Sequence, residues 1–340
     1  MYHLLEYLKL GTAIGEIEQV AGGLLHKMYR VKTDKGIYAV KVLNPEIMKR
    51  PAAWRNTVNS EKIAAAFQDL IPVVAALEID GKQIHEQNGA YYMVFDWGEG
   101  TSIFPPKVTA RHCYAIGEIL GKMHAANIMI DEVVREEAAS TMFDWDKYRE
   151  LMQGTETEPW AVCYQEALTD IKCWNQAVCD AQDTLAKTLV ISHRDLDPKN
   201  VLWNENAPLI IDWEAAGYIN PYQELLEVVN YWADDGEGEI SKEKFDALRG
   251  AYAQHVQLDG VDWDKVIAGS YMGMLGWLEY NVKRALGMEA TTEDEIQLGK
   301  EQVVSTIKEL YAYQEKVQRA YIECLGSVKQ HLGQWEFLIK

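Results

Sequence analysis

The chain has 340 residues, 48% of them hydrophobic, and a formal net charge of −19. That length suffices for one large domain or two lobes with buried cores, and the acidic balance predicts a surface that repels nucleic acid and anionic membranes and attracts cations. Five cysteines, an odd number without a C-x-x-C pair, argue against a disulfide framework and a zinc site. The opening MYHLLEYLKL lacks the order of a signal peptide, and no apolar run nears the roughly 18 residues of a membrane span, so a reducing cytoplasm is the predicted location.

Strand patterns dominate the first hundred residues: 16–21, 26–33, 36–43, 83–88 and 90–97 alternate or run apolar, with turn signals at Gly22-Gly23, Asp34-Lys35-Gly36 and Asn88-Gly89. One Ala-rich stretch, 52–70, has helical spacing instead. Residues 1–98 hold 11 basic and 11 acidic residues, so the rest of the chain carries the whole −19. After Gly100 the character changes. Residues 109–127 place Tyr114, Ile116, Ile119, Leu120 and Met123 at helical spacing, and helical patterns then run to the end. The last, 293–325, has apolar Ile296, Val303, Ile307, Leu310 and Tyr313 without sustained heptads, which predicts packing on its own lobe and a monomer or weak dimer. The expected architecture is α+β, bilobal: a small antiparallel-sheet lobe over residues 1–97 and a larger, mainly helical lobe over 98–340, joined near Trp97–Gly100.

The exception to the helical run is ISHRDLDPKNVLWNENAPLIIDWE, residues 191–214. It orders His193, Asp195, Asn200 and Asp212 around two short apolar runs. A carboxylate beside a hydroxyl can orient it and accept its proton. A second carboxylate and an amide oxygen are hard ligands suited to magnesium. Phosphoryl transfer needs little beyond such positioning and charge neutralisation. The ordered set therefore reads as a catalytic loop followed by a metal-binding strand end, with Asp195 as base and Asn200 and Asp212 as magnesium ligands. His193 and Arg194 are expected to brace the loop.

The same chemistry needs a cation on the nucleotide phosphates. Lys41, in the apolar strand pattern YAVKVL, is costly to bury without a charged partner. The following helical stretch offers Glu61 as that partner.

SHRDLDPKNVLW, LIIDWE, YAVKVL and IGEILGKMHA together resemble the aminoglycoside phosphotransferase and choline kinase family. The resemblance implies a protein-kinase-like fold over most of the chain and a kinase using ATP or GTP with Mg2+. It implies that Asp195 is the base, Asn200 and Asp212 the metal ligands, Lys41 the phosphate-binding lysine, and Glu61 its helix partner. Phe95, Asp96 and Trp97 resemble the hinge that meets the adenine, and Gly22-Gly23 the phosphate loop. That loop is shorter than G-x-G-x-x-G. Asp197 stands where protein kinases usually have lysine, and Glu224 where the family usually has Asp bracing the catalytic loop. Only EAAGYIN separates Trp213 from Pro221, too short for a peptide platform, so the acceptor is expected to be a small molecule.

Candidate acceptor contacts are Asp197, the acid run Asp234, Asp235, Glu237 and Glu239, and the helical Trp277, Glu279 and Tyr280. Carboxylates suit ammonium groups; aromatics suit a quaternary ammonium such as choline. Asn281 and Arg284 suit a sugar or a carboxylated acceptor equally. The expected function is an ATP-dependent O-phosphotransferase on a small hydroxylated, amine-bearing molecule. The alternatives are a choline, ethanolamine or other metabolite kinase, and a catalytically silent binding protein of the same fold, as in spore coats.

Overall fold

The alternation of the first hundred residues folds into one antiparallel sheet. Its strands β1 (Glu18–Val20), β2 (Lys27–Lys32), β3 (Ile37–Val42), β4 (His85–Gln87) and β5 (Ala90–Asp96) lie in the order β1-β2-β3-β5-β4. The computed structural model describes residues 1–20, 26–135, 142–290 and 292–316. The expected phosphate loop, Gly22-Gly23, lies outside them, as does the end of the last predicted helix, 317–325.

Two compact units share these residues. The first comprises Met1–Arg135, Val190–Ile219 and Leu248–Val256; the second comprises residues 142–189, 220–247 and 257–316. The first unit takes in residues 190–219 as well as the sheet, so its span differs from the expected 1–97.

In the first unit, side chains alternate across the sheet with period two. Val31, Val40 and Val94 face Leu4, Leu5, Leu8 and Leu10, supplied by α1 (Tyr2–Tyr7) and the turn after it. Met93 joins Leu43, Ala76 and Ile84 in a separate cluster. Because Val40 pairs with Val94 and Lys41 with Met93, Lys41 lies on the Met93 face. The β4–β5 hairpin turns at Asn88 and Gly89, both at positive φ, as an Asn-Gly turn requires. After the short α2 (Pro45–Met48), α3 (Pro51–Phe67) starts with proline in its first turn and buries Glu61, Ile63, Ala64 and Phe67.

α4 (Ala110–Ala126) opens on a reciprocal cap between Thr109 and His112. Of its predicted stripe, Ile116, Ile119, Leu120 and Met123 are buried and Tyr114 is exposed. Gly117 lets the backbone of Leu248 lie against the helix: a Cβ there would sit 2.1 Å from the Leu248 carbonyl oxygen. Strand β6 (Val190–Ser192) pairs with β9 (Gly217–Ile219), and β7 (Val201–Asn204) with β8 (Ala207–Ile210). The segment leaving α3 is bonded to β8 on both sides of Val73, Val74 N–H to Ile210 O and Ile210 N–H to Pro72 O, each at 2.9 Å.

The second unit is helical: α5 (Trp145–Leu151), α6 (Pro159–Leu185), α7 (Pro221–Trp232), the first part of α8 (Lys242–Tyr252), α9 (Trp263–Ala285) and α10 (Glu293–Lys316). α9 packs against α6 and α10. Trp174 of α6 stacks on Tyr271 of α9 at 5.9 Å and meets Tyr311 of α10 edge-on at 5.1 Å. Among the described residues no helix is long and apolar enough to cross a membrane.

Candidate active site

The segment between β6 and β9 carries most of the predicted chemistry, and local geometry explains how. Arg194 has φ +65° and Asp212 has φ +58°, a left-handed backbone uncommon for residues with a Cβ. Both bends are braced by His193, which is fully buried. Asp195 N–H donates to His193 Nδ1 at 3.3 Å, so Nε2 carries the proton and donates to Ile211 O at 3.0 Å. One ring thereby ties Asp195 to the residue before Asp212. Ile211 N–H in turn donates to Asn200 O at 3.0 Å.

Asp195 is partly exposed and held from two directions. Asn200 Nδ2 donates to its Oδ2 at 2.9 Å and to its carbonyl at 2.8 Å. Lys199 Nζ lies 3.2 Å from Oδ1 and 3.1 Å from Oδ2. Asp197 caps the 3-10 turn Pro198–Asn200, accepting Lys199 N–H at 2.8 Å. Nothing in the described residues bonds the Asn200 amide oxygen. It and the half-exposed Asp212 carboxylate are both hard oxygen donors, the type that binds magnesium together with water and phosphate oxygens. No cluster of three His, Cys, Asp or Glu side chains suited to a metal occurs among the described residues.

Lys41 reaches this strand end. Its Nζ is 2.6 Å from Glu214 Oε2 and 3.4 Å from Asp212 Oδ1. Burial opposes its charge, but Asp212, Glu214 and the more distant Glu61 outweigh that and hold its pKa above the ordinary lysine value. Glu61 is not bonded to Lys41. It is 5% exposed and accepts Ala76 N–H at 2.7 Å. Burial pushes its carboxyl up to about 7, against the pull of the Ala76 N–H and of Lys41. The expected Lys41–Glu61 ion pair is thus replaced by Lys41–Glu214, because the helix acid is anchored to the loop beyond α3.

The residues expected to form a hinge, Phe95, Asp96 and Trp97, lie at and just past the end of β5. Phe95 and Asp96 stand opposite Ala39 and Tyr38, Trp97 N–H donates to Ile37 O at 3.0 Å, and Arg30 lies 5.1 Å over the Trp97 ring. The Trp97 donor is therefore spent inside the sheet. Beyond it, Gly100 at φ +141° lets the chain pass against the Trp203 backbone, where Thr101 and Trp203 exchange hydrogen bonds at 3.1 and 3.0 Å.

The remaining acceptor candidates belong to the second unit and have partners there. Asp234 pairs with Lys316 at 3.6 Å, and Asp235 accepts from Glu237 N and Glu239 N at 2.8 and 3.2 Å. Glu279 takes the Tyr148 hydroxyl in a short hydrogen bond and Lys283 at 2.7 Å. Trp277 is 44% exposed, beside Tyr280. Glu224 is buried in α7.

Three groups in the site went unread in the sequence: Glu214, Lys199 and His26. Glu214 is two residues past a metal-ligand candidate, and Lys199 is four past the base, the spacing at which turn residues meet. Those spacings were the available signal. Nothing in the sequence marks His26, whose Nε2 lies 3.8 Å from Glu214.

The model of a phosphotransferase enzyme family matches residues 16–259. Among solved structures, a spectinomycin phosphotransferase crystallised with ADP and spectinomycin is 13% identical, with a TM-score of 0.61 over 92% of this chain and 98% of that one. An amicoumacin kinase in complex with AMP-PNP and Ca2+ is 12% identical, with a TM-score of 0.58 over 90% and 93%. A choline kinase from Cryptosporidium parvum is 10% identical, with a TM-score of 0.58 over 92% of each chain. At such identities the likeness is one of fold. No curated relative matches.

Proposed function

From the premise that this chain belongs to the phosphotransferase enzyme family and is a small-molecule kinase, we propose that it transfers the γ-phosphoryl group of ATP to a hydroxyl of a small amine-bearing acceptor. The observation that carries this reading is the Asp195 carboxylate, fixed by Asn200, whose carbonyl is bonded to the residue before Asp212, while Lys41 of β3 reaches Asp212 at 3.4 Å. In this reading Asp195 accepts the proton of the acceptor hydroxyl as it attacks in line. Asn200, through its free amide oxygen, and Asp212 would hold Mg2+. Bound there, the ion neutralises charge on the phosphate oxygens. Lys41 adds a fixed positive charge, worth more in a partly buried cleft than in water. Residues 1–97 carry the nucleotide side of this chemistry, and the cytoplasm supplies the nucleotide.

The amine-bearing class is supported by the negative charge confined to residues 99–340. One observation favours a second reading. The Lys199 ammonium stands on Asp195, where an approaching hydroxyl would meet it, and this suits an acceptor carrying an acidic group. A panel of aminoglycosides, choline, ethanolamine, sugars, nucleosides and hydroxy acids, scored for ADP and GDP release and for a mass gain of one phosphoryl group, tests both. Phosphorylation of an amine-bearing alcohol is expected. Turnover confined to hydroxy acids selects the second reading, and no turnover with any member overturns both.

A further inference from the structure

We propose that Glu214 is the positioning residue that aims the Lys41 ammonium at the nucleotide, in place of the α3 acid Glu61. This rests on the reading that Lys41 binds nucleotide phosphates.

Three features of the structure carry it. First, the Lys41 side chain is 13% exposed and its close partner is Glu214, at 2.6 Å. Glu61 forms no ion pair with it, and its carboxylate is engaged with Ala76 N–H at 2.7 Å. Second, the backbone delivers Glu214 to this place. After β8 the chain bends at Asp212, and Trp213 is buried at 2% exposure, stacked on Phe67 at 5.7 Å and edge-on to His193 at 4.7 Å. An anchored tryptophan fixes the stem of the next residue, which lies beside Lys41. Third, Glu214 has a second neighbour. His26 Nδ1 accepts Asn44 N–H at 2.9 Å, so its Nε2 carries the proton and stands 3.8 Å from Glu214 Oε2. Groups from the start of β2 and from β3 thus converge on one carboxylate. A lysine held this way loses little further side-chain freedom on meeting a phosphate, which is where a preorganised cation gains its advantage.

The test uses the full-length protein and measures the dissociation constant for ADP by calorimetry, with Mg2+ and again with EDTA. The variants are Glu214→Gln, Glu214→Asp, Glu61→Gln, Lys41→Met and Lys41→Met/Glu214→Gln, each checked for a cooperative thermal melt. Loss of a charge-assisted contact corresponds to about a tenfold change. Glu214→Gln is expected to weaken ADP binding by about tenfold with or without Mg2+, with Glu214→Asp intermediate. Glu61→Gln is expected to cost less than about threefold on the same basis. On the Lys41→Met background the Glu214 change should have no further effect. Equal losses with and without Lys41 would remove Glu214 from this role. A loss confined to Mg2+ would make it a metal ligand, and tighter binding a competitor of the phosphates; both overturn the proposal. A wild-type protein that binds no ADP would instead overturn the functional reading beneath it, whereas wild-type binding without the coupling overturns only the role of Glu214.

Discussion

Asn200 grips Asp195 twice, donating one amide group to its carbonyl at 2.8 Å and to its carboxylate at 2.9 Å. The amide oxygen is thereby turned away from the Asp195 carboxylate and is the atom proposed to meet Mg2+. Asn200→Asp removes both donated bonds and sets a second carboxylate against the first. Turnover should fall by at least about 100-fold, since a misplaced base forfeits its contribution. Asn200→Ala loses the bonds without adding charge. It also loses the amide oxygen proposed to hold Mg2+, so its turnover in an ADP-release assay should fall by at least about 100-fold as well.

Asp195→Asn keeps the shape of the base and removes its proton affinity. A general base contributes about 10²–10⁴-fold, so the maximal rate should drop by that factor while the dissociation constant for nucleotide stays nearly constant. Steady-state rates and calorimetry on one preparation separate the two quantities. A variant that kept its rate would leave Asp195 as a structural partner of Lys199.

Glu61 makes stability depend on pH in an unusual direction. Its carboxyl titrates at about 7 in the folded chain and at 4.5 ordinarily. Between those values the folded protein holds a proton that the unfolded chain has lost. The stabilisation is complete below the lower value and disappears as pH rises through the upper one. A tenfold difference in proton affinity between the folded and unfolded chain corresponds to about 1.4 kcal/mol, so across this window the effect reaches about 3 kcal/mol. Glu61→Gln can still accept the Ala76 N–H but has nothing to titrate. Urea denaturation should show the variant gaining on the wild type by about 2–3 kcal/mol between pH 5 and pH 8. A constant difference across that range would show that Glu61 is ionised throughout.

Most of this architecture was legible because it rests on local rules. Period-two alternation marks the five sheet strands, and Asn88-Gly89 announces its hairpin. The order of Asp195, Asn200 and Asp212 drew attention to one segment, and the structure brings Asn200 onto Asp195 there. Glu214 was not legible for a different reason. Its place depends on a left-handed bend at Asp212 and on Trp213 stacking against Phe67, a residue 146 positions earlier in the chain, and neither is encoded in a window around Glu214. Glu61 misled in the complementary way. A buried acid on the helix after a strand lysine invites pairing, but the backbone N–H of Ala76 reaches it first. The acid run at Asp234 and Asp235, expected as acceptor contacts, bonds its own turn and Lys316 in the structure.

Gly117 offers a test of the first unit's packing that does not involve the site. A methyl group there would press within 2.1 Å of the Leu248 carbonyl oxygen and 2.9 Å of its carbonyl carbon. Backbone cannot step aside as a side chain can, so Gly117→Ala must push α4 away from that segment. Overpacking of this kind costs about 1–3 kcal/mol and occasionally more. Here it outweighs the better helix propensity of alanine, about 1 kcal/mol. Chemical denaturation should show a net loss of about 1–2 kcal/mol; a more stable variant would mean the two segments are not in contact.

In the second unit the corresponding test is Asn175, which is fully buried on α6. Its Oδ1 accepts Trp145 Nε1–H at 2.8 Å and Phe143 N–H at 3.0 Å, holding the start of α5 to α6. Its Nδ2 makes a long sulfur contact with Cys179 at 3.8 Å, in addition to its other interactions. Asn175→Leu matches the volume but strands two donors, one of them on a tryptophan that is 2% exposed. A buried donor left without an acceptor costs about 1–3 kcal/mol, so the variant should lose about 2–4 kcal/mol, reported by a lower urea midpoint. Asn175→Asp keeps the acceptor and should lose less at pH 5 than at pH 8, because ionising a buried carboxylate carries its own desolvation cost. Cys179→Ala should be nearly neutral, since a sulfur at that distance is a weak acceptor. A leucine variant as stable as the wild type would show that water, not Asn175, satisfies Trp145.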